Sequence, residues 1–205
     1  MRRLPLLLII VFLILGSSAC GKPTPTPKAT PTLQGKHILM IIAHRDFRDE
    51  EYQEPRQLFE ARGAKVTVAS SSIEVAKGML GTQVKPDLLL KDVVVADYDA
   101  IVFVGGSGAQ EYWDDPTAHT IAQEAVAQGK VLAAICIAPA TLAKAGVLQD
   151  KKATVFSSEA EALEASGANY TGASVERDGL IITANGPQAA AEFAEEIAKA
   201  LEERD

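Results

Sequence analysis

Two side chains in this sequence have the type and the setting for covalent chemistry. The first is Cys136, in the stretch AAICIAP (133–139). A nearly pure apolar run, KVLAAI, ends at this cysteine, and a second apolar piece, IAPATLAKAG, starts at once. A strand passing into a helix with no loop forces a sharp turn, and the turn residue then stands exposed above the sheet, as in a nucleophile elbow. A helix dipole beginning there lowers a thiol's pKa and favours the thiolate, the form that attacks carbonyls and peroxides. Against this stands a plain alternative: free cysteine is also among the most buried residue types, and usually inert.

The second is Glu51, at the start of EEYQEPRQLFEARG (50–63), four residues before Pro55. Proline has no N–H to bond the Glu51 carbonyl, so a bend is expected there, with the first turn leaning over the sheet end. A carboxyl carried to a thiol would be partly protonated and would work as an acid or base. Asp49, Glu50 and Glu54 fit better as solvated acids at a helix N-terminus. The backbone N–H of Ile137, with those of Gly105 and Gly106 in FVGG, is expected to face an oxyanion.

Of the three histidines, His37 begins a strand and is read as structural. His44 and His119 are candidates to line the pocket, the alternatives being an exposed loop residue for His44 and a surface or packing role for His119, while Tyr112 and Trp113 either wall the pocket or simply pack. GGSG lacks the GK[ST] of a phosphate loop, and no histidine pair has metal-ligand spacing. No metal or cofactor is therefore expected.

Elements that would position these residues alternate along the chain. Apolar strands are expected at 37–43, 65–70, 99–106, 130–135, 153–156 and 180–184, with a hairpin formed by 77–80 and 84–90. Helices are expected at 50–63, at 116–129 with Asp115 as N-cap, just after Cys136, and at the C-terminus, where Phe193, Ile197 and Leu201 recur at i, i+4, i+8. Strands apolar on both faces and alternating with helices predict an α/β three-layer sandwich with a mostly parallel sheet. Ligands in such folds sit beyond the carboxyl ends of the strands. The loops after 43, 104 and 135 all fall there.

The first 35 residues carry a different signal. Arg2 and Arg3 precede LPLLLIIVFLIL, which has signal-peptide length and is short for a membrane span. GSSAC follows. It resembles a bacterial lipoprotein signal, with Cys20 lipidated after removal of 1–19, although Ser17 stands where leucine is usual. Ordinary signal-peptidase cleavage and an uncleaved anchor are the alternatives. Pro23, Pro25, Pro27 and Pro31 make 20–35 an extended tether, so the domain is expected to occupy 36–205. This points to an extracytoplasmic, membrane-anchored protein in which Cys136 lacks a disulfide partner. A net charge of −7 argues against nucleic-acid binding, which needs cationic surface.

Three motifs in this order, FRDEEYQEP, FVGG and AAICIAP, together with KKATVF and VERDGLIITANGP, resemble the DJ-1/PfpI (ThiJ/PfpI) family over roughly residues 36–202. The resemblance implies a flavodoxin-like, class I glutamine amidotransferase-like fold and a homodimer. It matches Cys136 to the family's elbow cysteine, Glu51 to the glutamate contacting its sulfur, and Gly105–Gly106 to the backbone lining the site. Family peptidases carry histidine directly after the cysteine. Ile137 stands there and cannot accept a thiol proton, so peptidase activity is not expected. Glyoxalase and deglycase members use a histidine further along, where this chain has Phe156. Two active readings follow: an enzyme acting on small carbonyl or amide substrates, and a thiol that responds to oxidants. A catalytically silent scaffold is the third.

Overall fold

The structure is a computed structural model, and it describes residues 32–204. The apolar leader, Cys20 and most of the Pro/Thr-rich segment lie outside the described residues. Leu33, at the end of the stretch read as a tether, is fully buried, and its N–H donates to the Arg62 carbonyl. The packed chain thus reaches back at least to Leu33.

In chain order the elements are β1 (His37–Ile41), β2 (Arg45–Phe47), α1 (Asp49–Ala61), β3 (Lys65–Ser70), β4 (Ala76–Gly78), β5 (Gln83–Val84) and β6 (Leu88–Leu89). They continue with β7 (Ala100–Phe103), a 3₁₀ turn over Ser107–Tyr112, α2 (Pro116–Ala127), β8 (Val131–Ile135) and α3 (Pro139–Lys144). The last are β9 (Lys152–Ala153), α4 (Ala160–Ala165), β10 (Asn169–Tyr170), β11 (Val175–Asp178), β12 (Ile181–Ala184) and α5 (Ala190–Glu202). Seven strands form one sheet in the order β11-β12-β8-β7-β1-β3-β6. Every pairing is parallel except β11 with β12.

Helices flank this sheet. α1 packs on α5 and β3, α5 also covers β8 and β12, and α2 packs on α3, β7 and β8. Strand β8, contacted by both α2 and α5, is buried at all five positions. That is why VLAAI shows no alternation of apolar and polar residues. Phe193, Ile197 and Leu201 are fully buried along α5, at the expected spacing. Burying side chains of this size stabilises by about 1.5–3 kcal/mol each. Asp115 caps α2, accepting the N–H groups of Thr117 and Ala118 at 2.7 and 2.9 Å. No helix among the described residues is long and apolar enough to cross a membrane.

Two expected elements differ. The strand expected at 153–156 is only β9, which pairs with β10 and lies outside the main sheet. Beyond it the backbone is held by other partners: the Thr154 N–H by Thr183 Oγ1, and the Phe156 N–H by the Cys136 carbonyl. The expected hairpin divides in two. β4 and β5 pair antiparallel, while β6 joins the main sheet beside β3. Pro86, without an N–H, separates them, and the Asp87 carboxylate accepts the Val68 N–H at 2.8 Å.

Candidate functional site

The site is built where β7, β8 and α1 meet at the carboxyl end of the sheet. Cys136 follows β8 directly and has φ 62, the left-handed region that costs an ordinary residue roughly 1–2 kcal/mol. Both of its backbone groups are tied. Its N–H donates to the Ala184 carbonyl at 2.9 Å, and its carbonyl accepts from Phe156 at 2.8 Å. The elbow is therefore fixed by β12 on one side and the 154–156 segment on the other. One residue on, the Ile137 carbonyl accepts the Trp113 indole N–H at 3.2 Å.

Glu51 lies in the first turn of α1 and is fully buried. A Cβ placed on Gly105 would fall 2.5 Å from both Glu51 Oε2 and Cys136 Cβ, and 2.6 Å from the Ile135 carbonyl oxygen. Glycine at 105 is thus the condition for the carboxyl and the cysteine to meet. Gly106, at φ 97, is pressed against the backbone of Asp46, Phe47 and Arg48 in the same way. The Arg48 N–H donates to the Gly105 carbonyl at 2.9 Å, which locks the start of α1 to the end of β7.

The electrostatics of the pair follow from burial. Neither Glu51 oxygen has a partner in good hydrogen-bond geometry. Burial raises this carboxyl to about 8, opposed in part by the Cys136 thiol, the Arg48 charge and the Gly105 N–H. Burial also pushes the Cys136 thiol up to about 12, with the charge on Glu51 as the next cause. The N–H groups of Gly106 and Ile137 oppose that rise, because they act on the sulfur. The Glu51 charge is absent while the carboxyl keeps its proton. The two groups are therefore coupled: the first proton leaves the carboxyl, near 8, and the charge it leaves opposes ionisation of the thiol.

Several expectations are corrected here. Cys136 is not exposed; it is 9% accessible. Its thiol is raised rather than lowered, because burial dominates, and α3, which begins only at Pro139 and has six residues, brings no long helix dipole to oppose it. The N–H groups of Gly106 and Ile137 lie close enough to the sulfur to oppose its rise, and that of Gly105 acts likewise on the carboxyl. Asp49 is no solvated terminal acid. It is buried and accepts the N–H groups of Leu80 and Thr82 at 2.7 and 2.8 Å. That ties the β4–β5 hairpin to α1.

A cleft of about 290 Å³ opens at Cys136, lined also by Arg48, Met79, Gly106, Ile137 and Phe156 among others. None of the four expected pocket residues borders it. Tyr112 is buried as a strut, its hydroxyl donating to the Ile42 carbonyl and accepting the Ser71 N–H. Trp113 braces Ile137, and His119 Nε2 meets the Trp113 carbonyl at 2.8 Å. The His44 N–H donates to Glu111. His37 pairs with Thr67 Oγ1 at 2.8 Å and packs on Tyr98, in line with a structural role. Arg48 and Met79 were missed from the sequence. Arg48 had a signal, since it stands three residues before Glu51. Met79 had none, because only the hairpin geometry brings it to the cleft. Among the described residues no cluster of His, Cys, Asp or Glu has the form of a metal site.

With this geometry in hand, comparison with known proteins is informative. The model of the DJ-1/PfpI family matches residues 36–200. An uncharacterised protein of Methanocaldococcus jannaschii is 40% identical, with all of both chains covered. A glutathione-independent glyoxalase of Caenorhabditis elegans is 28% identical over 82% of this chain and 89% of its own. The crystal structure of a ThiJ/PfpI domain protein from Brachyspira murdochii superimposes with a TM-score of 0.80 at 34% identity, covering 82% of this chain and 99% of that one.

The buried carboxyl has a stability signature. Folded Glu51 keeps its proton up to about 8, while in the unfolded chain it ionises near its ordinary 4.5. Between those values the folded state binds more protons, so stability falls as pH rises through this window and levels off above it. Glu51→Gln, neutral throughout, is expected to match the parent near the low end of the window. At about pH 9 it should exceed the parent by on the order of 4–5 kcal/mol in urea unfolding, the full window at about 1.4 kcal/mol per pH unit. Parallel stability curves for the two proteins would contradict the buried, proton-holding carboxyl.

Proposed function

Because this chain belongs to the DJ-1/PfpI family, we propose that it acts on small carbonyl compounds through Cys136 and Glu51, as a glutathione-independent glyoxalase. The observation that carries this reading is the meeting of the buried Glu51 carboxyl and the Cys136 side chain over the bare backbone of Gly105. The relative named as a glyoxalase supports the activity class.

The chemistry needs only a thiol and one base that can return its proton. The sulfur adds to the aldehyde carbon of a 2-oxoaldehyde, and the thiol proton passes through Glu51 to the carbonyl oxygen. Glu51 then removes the hydrogen on that carbon as a proton and delivers it to the neighbouring carbon. The hydroxyl proton on the sulfur-bearing carbon passes to the neighbouring oxygen, which leaves a thioester with an adjacent hydroxyl. Water cleaves the thioester, freeing the cysteine and a 2-hydroxy acid. Oxidation at one carbon is balanced by reduction at the next, so no outside electron acceptor is needed. A carboxyl raised to about 8 suits both halves of this transfer. Ile137 after the cysteine argues against a peptidase.

In the direct test, the full chain is mixed with methylglyoxal without added thiol, and lactate is measured. Lactate formation is expected, with kcat/KM falling at least about 100-fold in Cys136→Ser and in Glu51→Gln. Unchanged turnover in Cys136→Ser would refute the reading. A second reading rests on the same thiol, which is the lone cysteine among the described residues. Oxidation by peroxide would then give a stable sulfinic acid at Cys136, with no lactate formed.

Tethering to a membrane surface belongs to the same proposal, with residues 1–19 removed and Cys20 lipidated. The expected outcome is partition of the expressed protein into detergent, lost in Cys20→Ala. Equal partition of the two would count against lipidation.

A further inference from the structure

The cleft at Cys136 has an uneven chemical character. Two of its walls are apolar side chains that the fold leaves open to solvent: Phe156 is 42% exposed and Met79 is 44% exposed. They arrive from separate segments. The Phe156 N–H is held by the Cys136 carbonyl, and the Met79 N–H by the Phe47 carbonyl. Both are thus fixed beside the site by backbone bonds, with the apolar Ile137 and Pro187 also on the lining. Large apolar side chains kept open around a concave, reactive centre are what a ligand's apolar part would cover.

The charges point the same way. Among the described residues that line the cleft, Arg48 is the one cation. Its guanidinium is already held by Glu50 through two contacts, at 2.8 and 3.0 Å. Glu159 on the same lining adds a negative charge. A substrate carboxylate or phosphate would meet no uncommitted positive group there. The volume of about 290 Å³ lies at the small end for ligand clefts, too small for a folded partner or a long peptide.

We propose that this site selects uncharged aldehydes carrying an aryl or branched alkyl substituent, which lies between Phe156 and Met79, and that it disfavours anionic carbonyl compounds. This inference rests on the reading of Cys136 as the reacting group. It adds the substrate class and two specificity-determining residues. Phenylglyoxal-like compounds are then better substrates than methylglyoxal, and glyoxylate is a poor one.

The test uses three alkylating agents that share one leaving group: iodoacetamide, N-benzyl-iodoacetamide and iodoacetate. In each case the sulfur–carbon bond forms as iodide leaves. Rates at Cys136 in the full chain are followed by peptide mass spectrometry and divided by the rates with 2-mercaptoethanol. The benzyl reagent is expected to react about tenfold faster than iodoacetamide on this normalised scale, and iodoacetate slower than iodoacetamide. Phe156→Ala and Met79→Ala should each bring the benzyl preference down towards one. Both side chains are substantially exposed, so neither truncation opens the core. Equal normalised rates for the benzyl and plain reagents, or a preference unchanged in both variants, would overturn the proposal while leaving a reactive Cys136 intact. No reaction with any of the three would overturn the reactive thiol itself, and this inference with it.

Discussion

The site depends on a missing atom. Gly105 lies just past the end of β7, beside the strand that leads to the cysteine, and its α-carbon is the point around which Glu51, Cys136 and the Ile135 carbonyl pack. Any side chain there would occupy the space in which the carboxyl and the cysteine meet. Gly106 repeats the constraint one residue on, with Arg48, Phe47 and Asp46 pressed against it. These close approaches hold the start of α1 over the end of β8. The strained backbone at Cys136 is then set by its two hydrogen bonds, to Ala184 and Phe156.

What that packing creates is a carboxyl with nowhere to place its charge. Glu51 is fully buried and its oxygens lack well-formed hydrogen bonds, whereas nearby Asp49 is also buried but receives two backbone N–H groups. The outcomes are opposite. Burial opposes ionisation of Asp49 too, but the Thr82 side chain and the N–H groups of Leu80 and Thr82 hold it below the ordinary carboxylate range. Glu51 is raised instead. Two acids two residues apart thus divide the labour. One is a fixed anion that secures a hairpin, and the other is a carboxyl that keeps its proton beside the cysteine.

Much of this was legible from residue order. The unbroken apolar runs of β1, β7 and β8 announce a sheet covered on both faces, and Asp115–Pro116 marks the start of α2. The abrupt passage from KVLAAI to Cys136 locates the turn, and Glu51 stands out by its place before Pro55. Other features depend on contacts between distant segments. Periodicity could not tell that Asp49 turns inward to a hairpin more than thirty residues away. Nor could it tell that Tyr112 would serve as a strut for Ile42 and Ser71 while Met79 and Phe156 form the cleft. The thiol's pKa was misread because helix proximity was inferred from sequence adjacency. In the fold, burial and a neighbouring carboxyl outweigh a six-residue helix that starts three positions later.

The central claim is that Cys136 and Glu51 are coupled and lose their protons as a pair. The most direct test is the rate of Cys136 alkylation by iodoacetamide as a function of pH, in the parent and in Glu51→Gln. The parent rate should rise through an inflection near 8, where the pair loses its first proton. Glu51→Gln should lose that inflection and rise only at the higher pH where a buried thiol ionises alone. Superimposable profiles would contradict the coupled pair, and would leave Glu51 as a packing residue.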